Sequence, residues 1–169
     1  MVKKHLFCQY PERVSTGPAL PISVYVCLPG YYAVHNRPAA APASGAIFLL
    51  NDGAIAVFQG EPDTESSSAA GSLSPVYRLH PGGPLAVPTG LVLVRFAAGV
   101  VAETRREQLA QAGYENVESL VYAPQAVWTR ARSGDIAAAL NGIPALQALA
   151  DIENVEPQML MQRVRRKMA

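Results

Sequence analysis

From Gly90 onward the sequence follows one alternation (strand, helix, strand, strand, helix, strand, then a basic end), and that order leaves few folds open. The opening strand is Leu91-Val92-Leu93-Val94-Arg95-Phe96, whose β-branched and aromatic content suits a mostly buried position, and Gly99 ends it. Residues 102–112 read as a helix of good formers, with Glu103 near the positive end of the helix dipole and Gly113 placed for the left-handed position after the last turn. Its apolar face, Val101, Leu109 and Ala112, is thin. Strands at 117–122 and 126–130 flank Ala123-Pro124-Gln125, a link too short for a parallel crossover, so the two are expected to pair antiparallel. Ser133 or Asp135 caps a second helix, in which Ile136, Ala139, Leu140 and Ile143 keep helical spacing. Pro144 either kinks that helix or opens a separate short one over 144–150 after Gly142 has stopped the first; the break is preferred. Residues 152–156 close the sheet as its last strand.

The preceding half carries β and turn signals. Ile22-Ser23-Val24-Tyr25-Val26-Cys27-Leu28 reads as a strand ended by Pro29-Gly30. Residues 46–50 and 54–58 around Asn51-Asp52-Gly53 form a hairpin signal, because Asn, Asp and Gly tolerate the positive φ of a tight reversal. The Pro/Ala-rich stretch 37–45 and the Ser-rich stretch 60–74 are expected to be loops that bury too little apolar surface to offset their ordering entropy. A strand at 76–79 precedes His80-Pro81-Gly82-Gly83-Pro84, a cluster extended by Pro88 and read as a domain boundary. The expected fold is therefore α+β: a mainly-β region over 1–88, a ferredoxin-like βαββαβ domain over 89–158 with an antiparallel sheet and two helices, and a basic tail over 159–169.

A chain of 169 residues, half of them apolar, has room for one ordinary domain or two small ones. The net charge is only +1, yet four of the 14 basic residues are Arg163, Arg165, Arg166 and Lys167, so the global charge says little while the tail is locally cationic. Cys8 and Cys27 have no metal-type spacing and are expected to be buried thiols rather than a disulfide. The basic start is interrupted at Gln9-Tyr10-Pro11-Glu12-Arg13 before any signal-peptide core develops, and no apolar run approaches the roughly 20 residues needed to span a bilayer. A cytoplasmic, membrane-free protein is expected.

Little in the sequence can do chemistry. His5, His35 and His80 fall in or beside loops, unframed by a nucleophile elbow, an HExxH pair or a Cys-His signature, and read as surface or loop histidines. Glycines 82, 83, 90 and 99 build no phosphate-binding loop, and Glu115 and Glu118 read as solvated strand carboxylates. The expectation is no catalytic residue, no metal and no cofactor. RNA is disfavoured as a partner, since the first strand offers only Phe96 for stacking; Trp128 reads as a core or interface aromatic.

The span from Leu91 to Val164 resembles the propeptides of subtilisin-like serine proteases and the stand-alone inhibitors that share their fold. The likeness lies in Leu91-Val92-Leu93-Val94-Arg95-Phe96-Ala97-Ala98-Gly99-Val100, in Gln111-Ala112-Gly113-Tyr114, in Asp135-Ile136-Ala137-Ala138-Ala139-Leu140 and in Ile152-Glu153-Asn154-Val155-Glu156-Pro157, and it covers just under half of the chain. It implies a sheet that packs on surface helices of the protease, acidic residues at the end of the last strand that cap those helices, and an extension lying product-like in the substrate cleft. Glu156 stands at the first capping position, and Gln158 replaces the second acid. The extension would be Met159-Leu160-Met161-Gln162-Arg163-Val164, with Met161 at the apolar fourth subsite and Val164 near the primary one, or in another register with Arg165, Arg166 or Ala169 there. The alternative for Met159-Leu160-Met161 is that they prolong the last strand and cover the chain's own core. The Asp, His and Ser boxes of the proteases themselves, including the HGTH and GTSMA types, are absent. The resemblance thus implies a non-enzymatic partner of a subtilase, acting as inhibitor, folding chaperone or both. The competing expectation is a ferredoxin-like interaction module that pairs through its sheet with another partner or with its own copy.

Overall fold

The computed structural model describes residues 7–17, 23–38, 44–62 and 73–162. In chain order the elements are β1 (Arg13–Thr16), β2 (Ser23–Val34), β3 (Phe48–Leu50), β4 (Ile55–Gln59), β5 (Leu73–His80), β6 (Leu85–Phe96), α1 (Arg106–Gln111), β7 (Tyr114–Leu120), β8 (Ala123–Ala131), α2 (Ile136–Asn141), α3 (Ile143–Gln147) and β9 (Ile152–Met161). The fold is α+β with a mostly antiparallel sheet, ordered β3-β4-β2-β5-β6-β8-β7, with β1 on β2 and β9 on β6. A ferredoxin-like sheet of four strands standing alone is not what forms, because the described residues contribute nine strands to one hydrogen-bonded network.

Several strands are longer than the sequence suggests, β5 and β8 among them. β2 passes through Pro29-Gly30 instead of ending there, with Gly30 at φ +84. β6 begins six residues before Leu91 and runs through Pro88 and Gly90, the latter at φ +92. Glycine reaches positive φ without a Cβ clash, so Pro and Gly bend these strands rather than stop them. β9 continues past Glu156 to Met161. The reversal between β7 and β8 falls at Val121-Tyr122 rather than at Ala123-Pro124-Gln125, which starts β8. β1 had no sequence signal strong enough to mark it.

The chain divides into two compact units. One, the mixed unit, takes residues 1–25 and 88–158. Its strands lie in the order β9-β6-β8-β7. Antiparallel registers run from Leu91↔Arg130 to Arg95↔Ala126 and from Tyr114↔Ala131 to Leu120↔Ala123, the latter with irregularities after Asn116 and Ser119. The expected first helix is a 3-10 helix (Ala102–Arg105) continued by α1, with Leu109 and Ala102 buried and Val101 exposed. Gly113 takes φ +90, as the end of that helix requires. Asp135 caps α2 by accepting the Ala137 N–H at 3.2 Å, and the helix breaks at Gly142, leaving Pro144 in the first turn of α3. Residues before β1 join this unit through the Asn141 amide, which donates to the Gln9 carbonyl at 2.7 Å.

The other, the β unit, takes residues 26–87 and 159–169. β3 and β4 form the expected hairpin, with Asn51 at φ 51, Asp52 at φ 53 and Gly53 at φ 88 in the reversal. β2 pairs β4 from Tyr31↔Gln59 to Val34↔Ala56, and β5 pairs β6 at Tyr77↔Ala86 and Arg78↔Leu85. Its core is Ala33, Leu50, Ile55, Val57, Val76 and Val87, with Tyr31, Phe48, Leu85 and Leu160 packed against it. Cys8 is exposed in a turn of the mixed unit and Cys27 half-buried on β2; neither is in a disulfide, and neither is fully buried as expected. Of the expected loops, residues 39–43 and 63–72 lie outside the described residues, whereas Ser74 is a fully buried member of β5.

Candidate protein-binding surface

In the mixed unit the two faces of the strands differ. Val92, Val94 and Phe96 of β6, Val127, Thr129 and Ala131 of β8 and Tyr114 of β7 share one face by register, and all are buried. The helices lie on that side. Buried Tyr114 donates its hydroxyl proton to the Ala139 carbonyl of α2, and its phenol is pushed up to about 12 by burial. Thr129 donates to the Val92 carbonyl at 2.9 Å, which satisfies a hydroxyl otherwise costly to bury. Phe96 is thus sealed inside and offers no stacking platform for a base.

The opposite face alternates with the first. It carries Leu91, Leu93 and Arg95 of β6 and Arg130, Trp128 and Ala126 of β8, with Leu93 directly opposite Trp128. Leu91, Leu93 and Trp128 are half-buried. Around them stand charges of both signs: Arg130 donates to Glu115 at 2.5 Å, Glu118 pairs in register with Trp128, and Arg95 is exposed. An apolar centre with an aromatic, rimmed by charge, is the anatomy of a protein-binding patch. At the β7–β8 reversal Val121 and Tyr122 are 90% and 100% exposed. Glu103 of the 3-10 helix, by contrast, is held below the usual carboxylate range by the Arg106 guanidinium and then by the Ser119 hydroxyl, a surface tie on the helix side.

The residues singled out from the sequence are placed as follows. Glu156 is exposed on β9 and accepts from the Asn154 amide at 2.7 Å; the Tyr25 phenol is raised by burial first and by this carboxylate second. Gln158 is tied within its own unit, its side-chain carbonyl accepting from the Thr89 hydroxyl at 2.8 Å while Thr89 Oγ1 accepts the Leu91 N–H at 3.2 Å. Met159, Leu160 and Met161 are half-buried in β9, and Leu160 packs on the core of the β unit. Gln162 follows the strand and is exposed; Arg163 and Val164, with the rest of the basic end, lie outside the described residues.

For His35, which follows the end of β2, a surface position is corrected. His35 is only 6% exposed, its Nε2 lies 2.7 Å from Ser74 Oγ, and burial pushes its imidazole down to about 4. The Ser74 hydroxyl also lies 3.1 Å from the Pro75 carbonyl, and the imidazole tautomer sets which partner of the pair donates. Both groups are closed off from solvent, and the pair satisfies polar atoms within a core rather than presenting a nucleophile. His80 is exposed at the end of β5, and His5 lies outside the described residues. Among the described residues no three His, Cys, Asp or Glu side chains cluster to hold a metal, and no helix is long and apolar enough to cross a membrane.

Comparison of the chain with protein-family models, with curated proteins and with solved structures finds no match in any of the three.

Proposed function

We propose that this chain is a non-enzymatic, propeptide-like protein that binds a subtilisin-like serine protease through the mixed unit, as inhibitor, folding chaperone or both. The observation that carries the reading is the two-faced sheet: helices close one side of β9-β6-β8-β7, and the other side keeps half-buried Leu91, Leu93 and Trp128 within a charged rim. The strand order and the helix placement fit a ferredoxin-like domain over 89–158, the architecture that the resemblance to subtilase propeptides implies. Exposed Glu156 suits the capping contact at the end of the last strand, while Gln158, bonded to Thr89, does not supply a second one. A partner that binds only the native protease stabilises it by mass action, so a separate chain of this kind assists folding as well as blocking activity.

Titration of the purified chain against a panel of subtilisin-like serine proteases tests this. Inhibition or co-elution with at least one is expected, and Leu93→Glu, which buries a charge in the patch, should weaken binding by about tenfold or more. Failure of the unaltered chain to slow or co-elute with any member of the panel overturns the reading. Pairing with a second copy through the same face is the other reading, favoured by the commitment of β9 to the chain's own sheet as far as Met161. Its signature is a concentration-dependent dimer in sedimentation that Leu93→Glu dissolves.

A further inference from the structure

We infer that the outer end of β9 is a latch, holding residues 159–161 out of reach of any protease cleft by packing half-buried Leu160 against the core of the β unit. Three observations converge on it. The strand stays hydrogen-bonded through Met161. Leu160 packs against the cluster of Ala33, Leu50, Ile55, Val57, Val76 and Val87, and residues 159–162 belong with the β unit rather than with the rest of β9. Just before the latch, the relay from the Leu91 N–H through Thr89 to Gln158 fixes the point at which the chain leaves the mixed unit.

A serine-protease cleft takes its peptide as an added strand, with main-chain hydrogen bonds and alternate side chains in pockets. Residues 159–161 already spend both resources inside their own chain. Seating in the β unit and seating in a cleft are therefore mutually exclusive states of one segment, and whatever loosens Leu160 shifts the population from the first to the second. The regulatory sense of this rests on the subtilase-binding reading, under which the free chain is a restrained inhibitor whose end becomes available when the β unit lets go. The restraint itself is a property of this chain alone.

The test is a cleavage map of the full chain under a trace of chymotrypsin, a serine protease outside the subtilisin-like class that the chain is proposed to inhibit, each variant normalised to its rate in the urea-unfolded state. In the unaltered chain the bonds between residues 159 and 162 are cut slowly. Leu160→Ser should raise cutting at these bonds by about tenfold or more, since truncating a packed apolar side chain raises the population of the locally open strand. The emission of Trp128, the chain's only tryptophan, should stay unchanged and report an intact mixed unit. Leu160→Met, which refills the seat, should restore protection. Equal cutting of the unaltered and Leu160→Ser chains, or no rescue by Leu160→Met, overturns the latch. An inhibition titration run alongside separates the two ideas: if no variant inhibits, the subtilase reading falls and the cleavage map alone decides the latch; if the unaltered and Leu160→Ser chains inhibit equally, the regulatory sense of the latch falls while the cleavage map still decides the restraint.

Discussion

Where the mixed unit closes one face of its strands with α1, α2 and α3, the β unit closes its core of Ala33, Leu50, Ile55, Val57, Val76 and Val87 with strands and the side chains of Tyr31, Phe48, Leu85 and Leu160. The two solutions leave different weak points. Helix against sheet demands close fit, visible where Tyr114 of β7 passes against Gly142 between α2 and α3. The β unit instead admits a polar pair, His35 and Ser74, whose satisfaction depends on the imidazole staying neutral. One unit is vulnerable to volume and the other to protons.

The largest expected effect follows from the protons. Unfolded histidine takes up a proton near pH 6.5, whereas His35 in the fold resists it to about 4. Its contribution is complete above pH 6.5, is lost progressively as the pH falls, and levels off below about 4, for a total of roughly 3 kcal/mol. Urea midpoints measured from pH 8 to pH 4 should fall more steeply for the unaltered chain than for His35→Gln; parallel curves contradict this account. Next comes Gly142→Ala. A Cβ there would stand 2.9 Å from Cε2 of Tyr114, closer than real packing permits, so a loss of about 1–3 kcal/mol is expected from overpacking. Thermal melts check it, and pairing the change with Tyr114→Leu should recover part of the loss if the ring is the obstacle.

Asn116 offers an effect of the opposite sign. It sits opposite Thr129 on the helix-facing side of β7, and both polar atoms of its amide are buried without a partner. Asn116→Val should stabilise the protein by about 1 kcal/mol, because an unsatisfied polar group is removed and a β-branched residue suits the strand. A lower melting temperature would show that the amide has a role in the fold. The smallest effect belongs to Glu115, paired with Arg130 on the candidate binding face, both side chains more than a third exposed. Glu115→Gln should change stability by less than about 0.5 kcal/mol. Any larger change in partner binding than in stability would place that rim inside the interface.

The sequence was legible where local chemistry decides. The reversal at Asn51-Asp52-Gly53, the Asp135 cap, the Gly113 stop and the break at Gly142-Pro144 each follow from one residue's backbone preference, and each stands where the residue types predict. Pro29-Gly30 and Pro88 misled, because the same residues that end a short strand also bend a long one, and only the pairing partners choose between the two. Val121 and Tyr122 misled in the other direction: their β-rich composition suggests a strand, yet they form the exposed reversal. Of the binding face, Trp128 and the alternation of Leu91 and Leu93 were visible in the sequence. Their juxtaposition was not, since it depends on the register of two strands more than thirty residues apart. The pairing of His35 with Ser74, 39 positions away, and the seating of Leu160 on residues near Val57 are likewise products of tertiary contact that no local pattern announces.

The distribution of thiols has a practical outcome. Cys8 belongs to the mixed unit and Cys27 to the β unit, and the chain contains no other cysteine. Exposed Cys8 should accept a maleimide dye before half-buried Cys27 does, so stepwise labelling can install a donor on one body and an acceptor on the other without altering a single residue. Energy transfer between them then becomes a native ruler for following any rearrangement that accompanies capture of a partner.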